Sequence, residues 1–162
     1  MKYNKQDLIK LRSSKKEKFL NKELGFVFQF HYLIKELSVL ENIMLPGLIK
    51  GDSKISCKKR AKKLLKQVGL TGKIDSYPTE LSGGEQQRVS ILRAVFNKPA
   101  FLLADEPTGD LDADNAAKIV DLLKSCQKEF GTGLIICSHD HSVYNQMETV
   151  LRLHDGLLDV EK

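Results

Sequence analysis

Two short apolar runs decide most of what this chain can fold into. Ala100-Phe101-Leu102-Leu103-Ala104 and Leu134-Ile135-Ile136-Cys137 are too short for buried helices. Each stops abruptly at polar residues, Asp105-Glu106 in one case and Ser138-His139-Asp140 in the other. Unbroken apolar runs of this length suit strands of a parallel sheet, buried on both faces. Between them, residues 115 to 129 carry Ile119, Leu122 and Leu123 at helical steps, and Gly131 and Gly133 then turn the chain. A third run, Leu24-Gly25-Phe26-Val27-Phe28, is aromatic and β-branched and ends at Gln29. Strands alternating with helices give an α/β fold class, in which chemistry gathers at the carboxyl ends of the strands. Cys137 is expected to be a small buried hydrophobe in its strand.

The rest of the chain is mostly helical or polar. Residues 1 to 23 are polar and Lys-rich, and the charge cluster from Lys10 to Lys22 reads as a solvated segment. Residues 38 to 50 have a capping Ser38 with Glu41 three positions on, and Pro46-Gly47 is expected to break that helix. Residues 56 to 69 form a clearer helix, with Ala61, Leu64, Leu65 and Val68 on one face and Gly69 as its cap. Its other face is basic: Lys58, Lys59, Arg60, Lys62, Lys63 and Lys66. Such a face meets water, a membrane or an acidic partner, and the sequence leaves these open. A further helix follows Tyr77-Pro78 and runs to about Asn97, and a short one fits 141 to 147. His154-Asp155-Gly156 between Val150–Leu153 and Leu157-Leu158 signals a hairpin.

Bulk properties exclude several classes. The 162 residues carry Lys+Arg 26 against Asp+Glu 21, a net charge of +5 that fits an anionic partner without naming one. Three scattered cysteines, Cys57, Cys126 and Cys137, show neither a disulfide framework nor zinc spacing. No apolar run approaches bilayer-spanning length, and the start lacks the apolar core of a secretory signal. A cytosolic protein attached to something else is the default expectation.

The polar strand ends supply the candidate chemistry. A carboxylate at the end of an apolar strand holds Mg²⁺ in phosphoryl-transfer sites, and a neighbouring carboxylate activates water. Asp105 is then the metal-side residue and Glu106 the base. The plain alternative is a surface acidic pair before a proline turn. His139 can hydrogen-bond a phosphate or simply begin a loop. Gln29 can meet Mg²⁺ or water, or cap a loop, while His31 lacks a partner at metal-ligand spacing. In Leu81-Ser82-Gly83-Gly84-Glu85-Gln86-Gln87-Arg88, Ser82 and Glu85 form a capping box. Two glycines in a first turn cost helix stability, and one reason for them is bare backbone N–H groups offered to a phosphate.

Taken together these segments resemble the ATPases of ABC transporters. Ser82, Gly83 and Gly84 resemble their signature motif. Phe101 to Glu106 resembles the Walker B strand, Pro107 to Asp112 the turn and D-loop, His139 the switch histidine, and Gln29 the Q-loop glutamine. The five motifs occur in family order across nearly the whole chain. The resemblance implies a P-loop NTPase of ABC type with a helical subdomain at about residues 30 to 77, inserted within a partial ATPase domain covering 1 to 162. It implies ATP and Mg²⁺ as cofactors, the ion held by Gln29 and Asp105, with Glu106 and His139 catalytic and Gln29, Ser82, Gly83, Gly84 and Asp105 contacting nucleotide. It also implies a second ATPase subunit, integral membrane transporter subunits and a place on the cytoplasmic face of a bacterial inner membrane. Nucleic acid is not expected as a partner, since no reading helix or aromatic platform stands out. Leu24 to Leu33 and Leu40 to Pro46 resemble the lipoprotein-releasing branch of the family. The macrolide-export and cell-division branches share much of that pattern.

One family motif has no counterpart: no G-x-x-x-x-G-K-[ST] run occurs. Residues 3 to 11 resemble the segment that follows the phosphate-loop helix. The expectation is a family member without its N-terminal part, unable alone to hydrolyse ATP and with part of its strand surface uncovered. A non-catalytic partner that lends its signature motif to a complete ATPase is the alternative.

Overall fold

The computed structural model describes residues 13–161 and, before them, the backbone of Lys2–Tyr3 and Gln6–Asp7. Most of the 3–11 segment expected to follow a phosphate-loop helix therefore lies outside the described residues. Lys2–Tyr3 (β1) and Gln6–Asp7 (β2) pair antiparallel. The chain continues through α1 (Ser13–Glu23), β3 (Leu24–Phe28), α2 (Val39–Lys50), α3 (Lys54–Gln67), α4 (Gly83–Val95), β4 (Phe101–Asp105), α5 (Ala113–Phe130), β5 (Gly133–Cys137), α6 (His141–Tyr144) and the hairpin β6 (Leu151–His154) with β7 (Leu157–Val160). The fold is α/β. Its centre is a parallel sheet in the order β3-β4-β5, in register so that Phe28, Asp105 and Cys137 lie side by side.

One face of this sheet is covered. Val27, Leu102 and Ala104 join Ile91 and Val95 of α4 and Ile119, Leu123 and Cys126 of α5 in one buried cluster. Gly25 lets α4 approach: a side chain there would meet the Ala94 carbonyl oxygen at 2.5 Å. A second cluster joins Val39, Ile43 and Met44 of α2, Cys57, Ala61 and Leu65 of α3, and Val89, Leu92 and Phe96 at α4 and its end. Helix α4 thus has two buried faces and ties both clusters together.

Several expectations need correcting. The apolar runs are not buried on both faces. Phe26, Phe28, Phe101 and Ile135 are exposed. Cys137 lies on the same side and is exposed rather than buried. Pro46-Gly47 does not end its helix. Helix α2 continues to Lys50 and is capped by Gly51 in the left-handed region, φ 99°. The Pro46 carbonyl accepts from Asn21 Nδ2 (3.0 Å) and Asn97 Nδ2 (3.1 Å), and any side chain on Gly47 would run into the Phe96 ring. The pair serves close helix packing rather than a break. Residues 13 to 23 of the segment read as merely solvated form helix α1, which buries none of its residues. The C-terminal hairpin forms where Asp155-Gly156 predicts it.

Candidate functional site

Parallel register brings Gln29, Glu106 and Ser138 to one edge, each a single residue beyond its strand. Glu106 has φ 43°, a conformation rare for residues other than glycine. Its N–H donates to the Cys137 carbonyl at 2.9 Å, which fixes the turn to the neighbouring strand. The carboxylate is then held by the loop after β5. Oε1 accepts from the His139 N–H (3.2 Å) and pairs with His139 Nδ1 (2.8 Å), and Oε2 accepts from Ser138 Oγ (3.3 Å). A residue in an uncommon backbone conformation thus has its side chain fixed by three contacts.

The imidazole of His139 is exposed, yet its hydrogen bond to Glu106 and the charge of that carboxylate raise its pKa above the ordinary 6.5. Because the folded value is raised, the pairing stabilises the fold below the unfolded value and is lost as pH rises through the folded one. Titration of His139 followed by NMR is expected to show a midpoint above 6.5. In Glu106→Gln it is expected to fall back toward the ordinary value. A midpoint unmoved by that substitution would show that the pair does not form.

The Gln29 amide is tied to the loop after β4. Its Nε2 donates to Asp110 Oδ1 at 3.1 Å, and its amide packs on Gly109, where an added Cβ would sit 3.1 Å from Nε2. It is thereby joined to the turn after Glu106. The Asp105 carboxylate is exposed and has no hydrogen-bond partner among the described residues. No group of three or more His, Cys, Asp or Glu among the described residues could hold a metal ion. A cation at Asp105 would need ligands beyond carboxylates, and the Gln29 Oε1, left free by the Nε2 bond, is of the right chemistry.

Ser82 caps α4 with the expected box: Glu85 N–H donates to Ser82 Oγ (3.3 Å), and Ser82 N–H donates to Glu85 Oε2 (2.8 Å). Those two bonds satisfy the Ser82 and Glu85 donors, while the N–H groups of Gly83 and Gly84 have no partner among the described residues. The two glycines differ. A Cβ on Gly84 would press on Asn115 Oδ1 at 3.3 Å, so that glycine also lets α5 approach. A Cβ on Gly83 would meet only Leu111, at 3.7 Å. Gly83 is therefore not required by the packing of a neighbouring element. No hydrogen bond joins Ser82, Gly83 or Gly84 to Glu106 or His139 among the described residues. Gly83 and Gly84 face the segment that follows Glu106, at Leu111 and Asn115.

Two residues of α4 tie that helix to the strand-end loops, and sequence reading did not single them out. Gln87, 1% exposed, donates through Nε2 to the Pro107 carbonyl at 2.7 Å, just past Glu106. Arg93 donates through Nη1 to the Tyr32 carbonyl and through Nη2 to the His31 carbonyl, both at 2.7 Å, and burial lowers its pKa. The loop after Gln29 is thus clamped to the helix that starts at Ser82. Gln87 had a faint signal in its nearness to the glycines. Arg93 had none, since its partners are 61 and 62 residues away. Burial also lowers the pKa of His31, against the opposing pull of Asp110.

Residues 1–109 match the family described as ABC transporter. The lipoprotein-releasing system ATP-binding protein LolD of Saccharophagus degradans is 46% identical over 156 residues, covering 96% of this chain and 68% of that protein. LolD of Shewanella frigidimarina is 41% identical, over 96% of this chain and 65% of its own length. LolD of Pseudoalteromonas translucida is 42% identical, over 99% and 69%. The chain thus spans about two thirds of the length of these relatives. Among solved structures, the dimeric ATP-binding cassette MJ0796 bound to ADP and Pi superposes with a TM-score of 0.84 at 36% identity, over 99% of this chain and 70% of that one.

Proposed function

We propose for this chain, which belongs to the ABC transporter family, the role of the ATP-hydrolysing subunit in a transporter of the lipoprotein-releasing kind. The observation that carries the proposal is the Glu106 carboxylate, fixed by Ser138 and His139 at the end of the central strand. The cassette bound to ADP and Pi and the relatives named LolD support the nucleotide and the cargo.

The residues fit a Mg²⁺–nucleotide in two respects: the bare N–H groups at Gly83 and Gly84 suit a phosphate, and Asp105 with the Gln29 Oε1 suits a hard cation. Bound Mg²⁺–ATP would supply the phosphoryl group that water attacks. Glu106 takes a proton from that water, its carboxylate aimed by Ser138 and His139. Protonated His139 offers an N–H to negative charge developing nearby. Ser82, Gly83 and Gly84 offer the positive end of α4 to the phosphates of a nucleotide held by a second ATPase subunit. None of the 162 residues forms a G-x-x-x-x-G-K-[ST] loop, so this reading assigns to the chain the Gln29, acidic, histidine and glycine parts of a composite site. Phe30 to Tyr77 would form a helical subdomain, supported by the buried cluster of α2 and α3, and would meet integral membrane subunits. The subunit would sit on the cytoplasmic face of a bacterial inner membrane. No helix among the described residues is long and apolar enough to cross one.

Depletion of the protein carrying this sequence is expected to leave mature lipoproteins in the inner membrane, as read by membrane fractionation. Normal sorting of lipoproteins together with new macrolide sensitivity would instead place it in the macrolide-export branch.

A further inference from the structure

The site above makes no use of the basic helix α3. Its buried stripe, Cys57, Ala61, Leu64 and Leu65, packs into the helical cluster. Directly opposite, Ile55, Lys59, Lys62, Lys63 and Lys66 share an outward arc of about 100°. The helix carries seven basic residues and no acidic one. Arg60 is committed inward: its Nη1 lies 3.4 Å from Asp52 Oδ2 and from the Phe96 carbonyl, and its guanidinium rests on the Phe96 ring. The outward lysines have no ion pair among the described residues. Glu129 of α5 is occupied by the Gln67 amide, 3.0 Å from each carboxylate oxygen. Lys58 and Lys62, Lys59 and Lys63, and Lys62 and Lys66 stand one turn apart and repel. Packing alone gives no reason for that uncompensated charge.

Exposed apolar side chains stand at the α2–α3 turn that leads into this helix, and Ile55 lies on the outward arc itself. At the α2–α3 turn Ile49 is 66% exposed and Ile55 85%, beside Leu48 and flanked by Lys50 and Lys54. Lysines in front of bare isoleucines match a lipid interface, where phosphates take the ammonium groups and the headgroup–acyl boundary takes the branched side chains. A polynucleotide would engage the lysines but not the isoleucines, and the arc carries no aromatic ring on which bases could stack.

We propose that the outward face of α3 and the α2–α3 turn dock on an anionic lipid surface. Ile49 and Ile55 enter the interface, and Lys59, Lys62, Lys63 and Lys66 meet the headgroups. This goes beyond the nucleotide-dependent role and uses none of the nucleotide-site residues, although its face lies within the Phe30 to Tyr77 subdomain proposed to meet membrane subunits.

The test is co-flotation of the full chain with phosphatidylcholine vesicles containing or lacking phosphatidylglycerol. Binding is expected only with the anionic lipid and is expected to weaken as salt rises. Lys59→Glu, Lys62→Glu and Lys66→Glu together are expected to lower partitioning by well over about 100-fold, since each change reverses a charge rather than removing it. Lys59→Gln, Lys62→Gln and Lys66→Gln should lower it less, with the helical circular dichroism unchanged in both. Ile49→Ser with Ile55→Ser is expected to weaken binding at high salt most. Lys15→Glu, Lys16→Glu and Lys18→Glu in α1 serve as the matched control and should bind as the parent does. Equal binding to neutral vesicles would overturn the proposal, since it would mark the exposed sheet face as the contact. Equal loss in the α1 control would overturn it by showing a general charge effect. Binding to duplex DNA but not to vesicles would replace it with a polynucleotide surface.

Discussion

Glu106→Gln is expected to lower ATP turnover by the assembled transporter by about 10²- to 10⁴-fold while nucleotide affinity is kept. The substitution is close to isosteric. A glutamine Oε1 can still accept from the His139 N–H, and the backbone at φ 43° is still held by the bond to the Cys137 carbonyl. What is lost is the basicity that takes a proton from water. Turnover should therefore fall without loss of fold, and a nucleotide-bound state should accumulate. Steady-state hydrolysis with parallel measurement of nucleotide retention checks this. A loss of only a few-fold would show that the base is another group and that the Glu106 contacts serve to shape the turn. Ser138→Ala removes one contact to the carboxylate and should cost less, because the His139 N–H and ring still hold it.

The strand ends were legible because a strand's polarity switches at its end. Asp105-Glu106 and Ser138-His139 each follow an unbroken apolar run, and parallel pairing in register then had to bring them together. The capping boxes at Ser38 and Ser82 were legible because they are closed within four residues. What was not legible is whatever depends on distant partners. An apolar run does not say how many of its faces another element covers, so Cys137 and Phe101 read as buried and are exposed. Pro46-Gly47 read as a break because local propensity disfavours both residues in a helix. Tertiary contacts from Asn21, Asn97 and Phe96 override that preference. Gln29 was read from its strand end and from the family resemblance, but the bond that orients its amide, to Asp110 81 residues on, was not legible. The clamp formed by Arg93 needed the folded loop to exist before it could be seen.

Phe96→Ala is expected to destabilise the fold by about 3–5 kcal/mol, the usual cost of emptying a large aromatic site in a core. The ring is 1% exposed and sits where three helices meet: the helical cluster places it with Ile43 and Met44 of α2 and with Ala61 and Leu65 of α3. It also carries the Arg60 guanidinium, 4.9 Å from its centroid, so its removal leaves that cation without its platform. Against a total stability of about 5–15 kcal/mol, such a loss leaves little margin. Thermal or urea unfolding of the variant would measure it, and a change below about 1 kcal/mol would mean that the cluster collapses into the space. The close approach of Gly47 gives a sharper check. Gly47→Ala alone should cost about 1–3 kcal/mol, because its Cβ would run into the ring and come within 2.8 Å of Cys57 Sγ. In the Phe96→Ala background the ring is gone and the added methyl fills part of the void. The double variant should then be more stable than the sum of the single losses allows, by about 0.5–3 kcal/mol. Strict additivity would show that Pro46-Gly47 is tolerated in α2 for some reason other than the packing of α2 against Phe96.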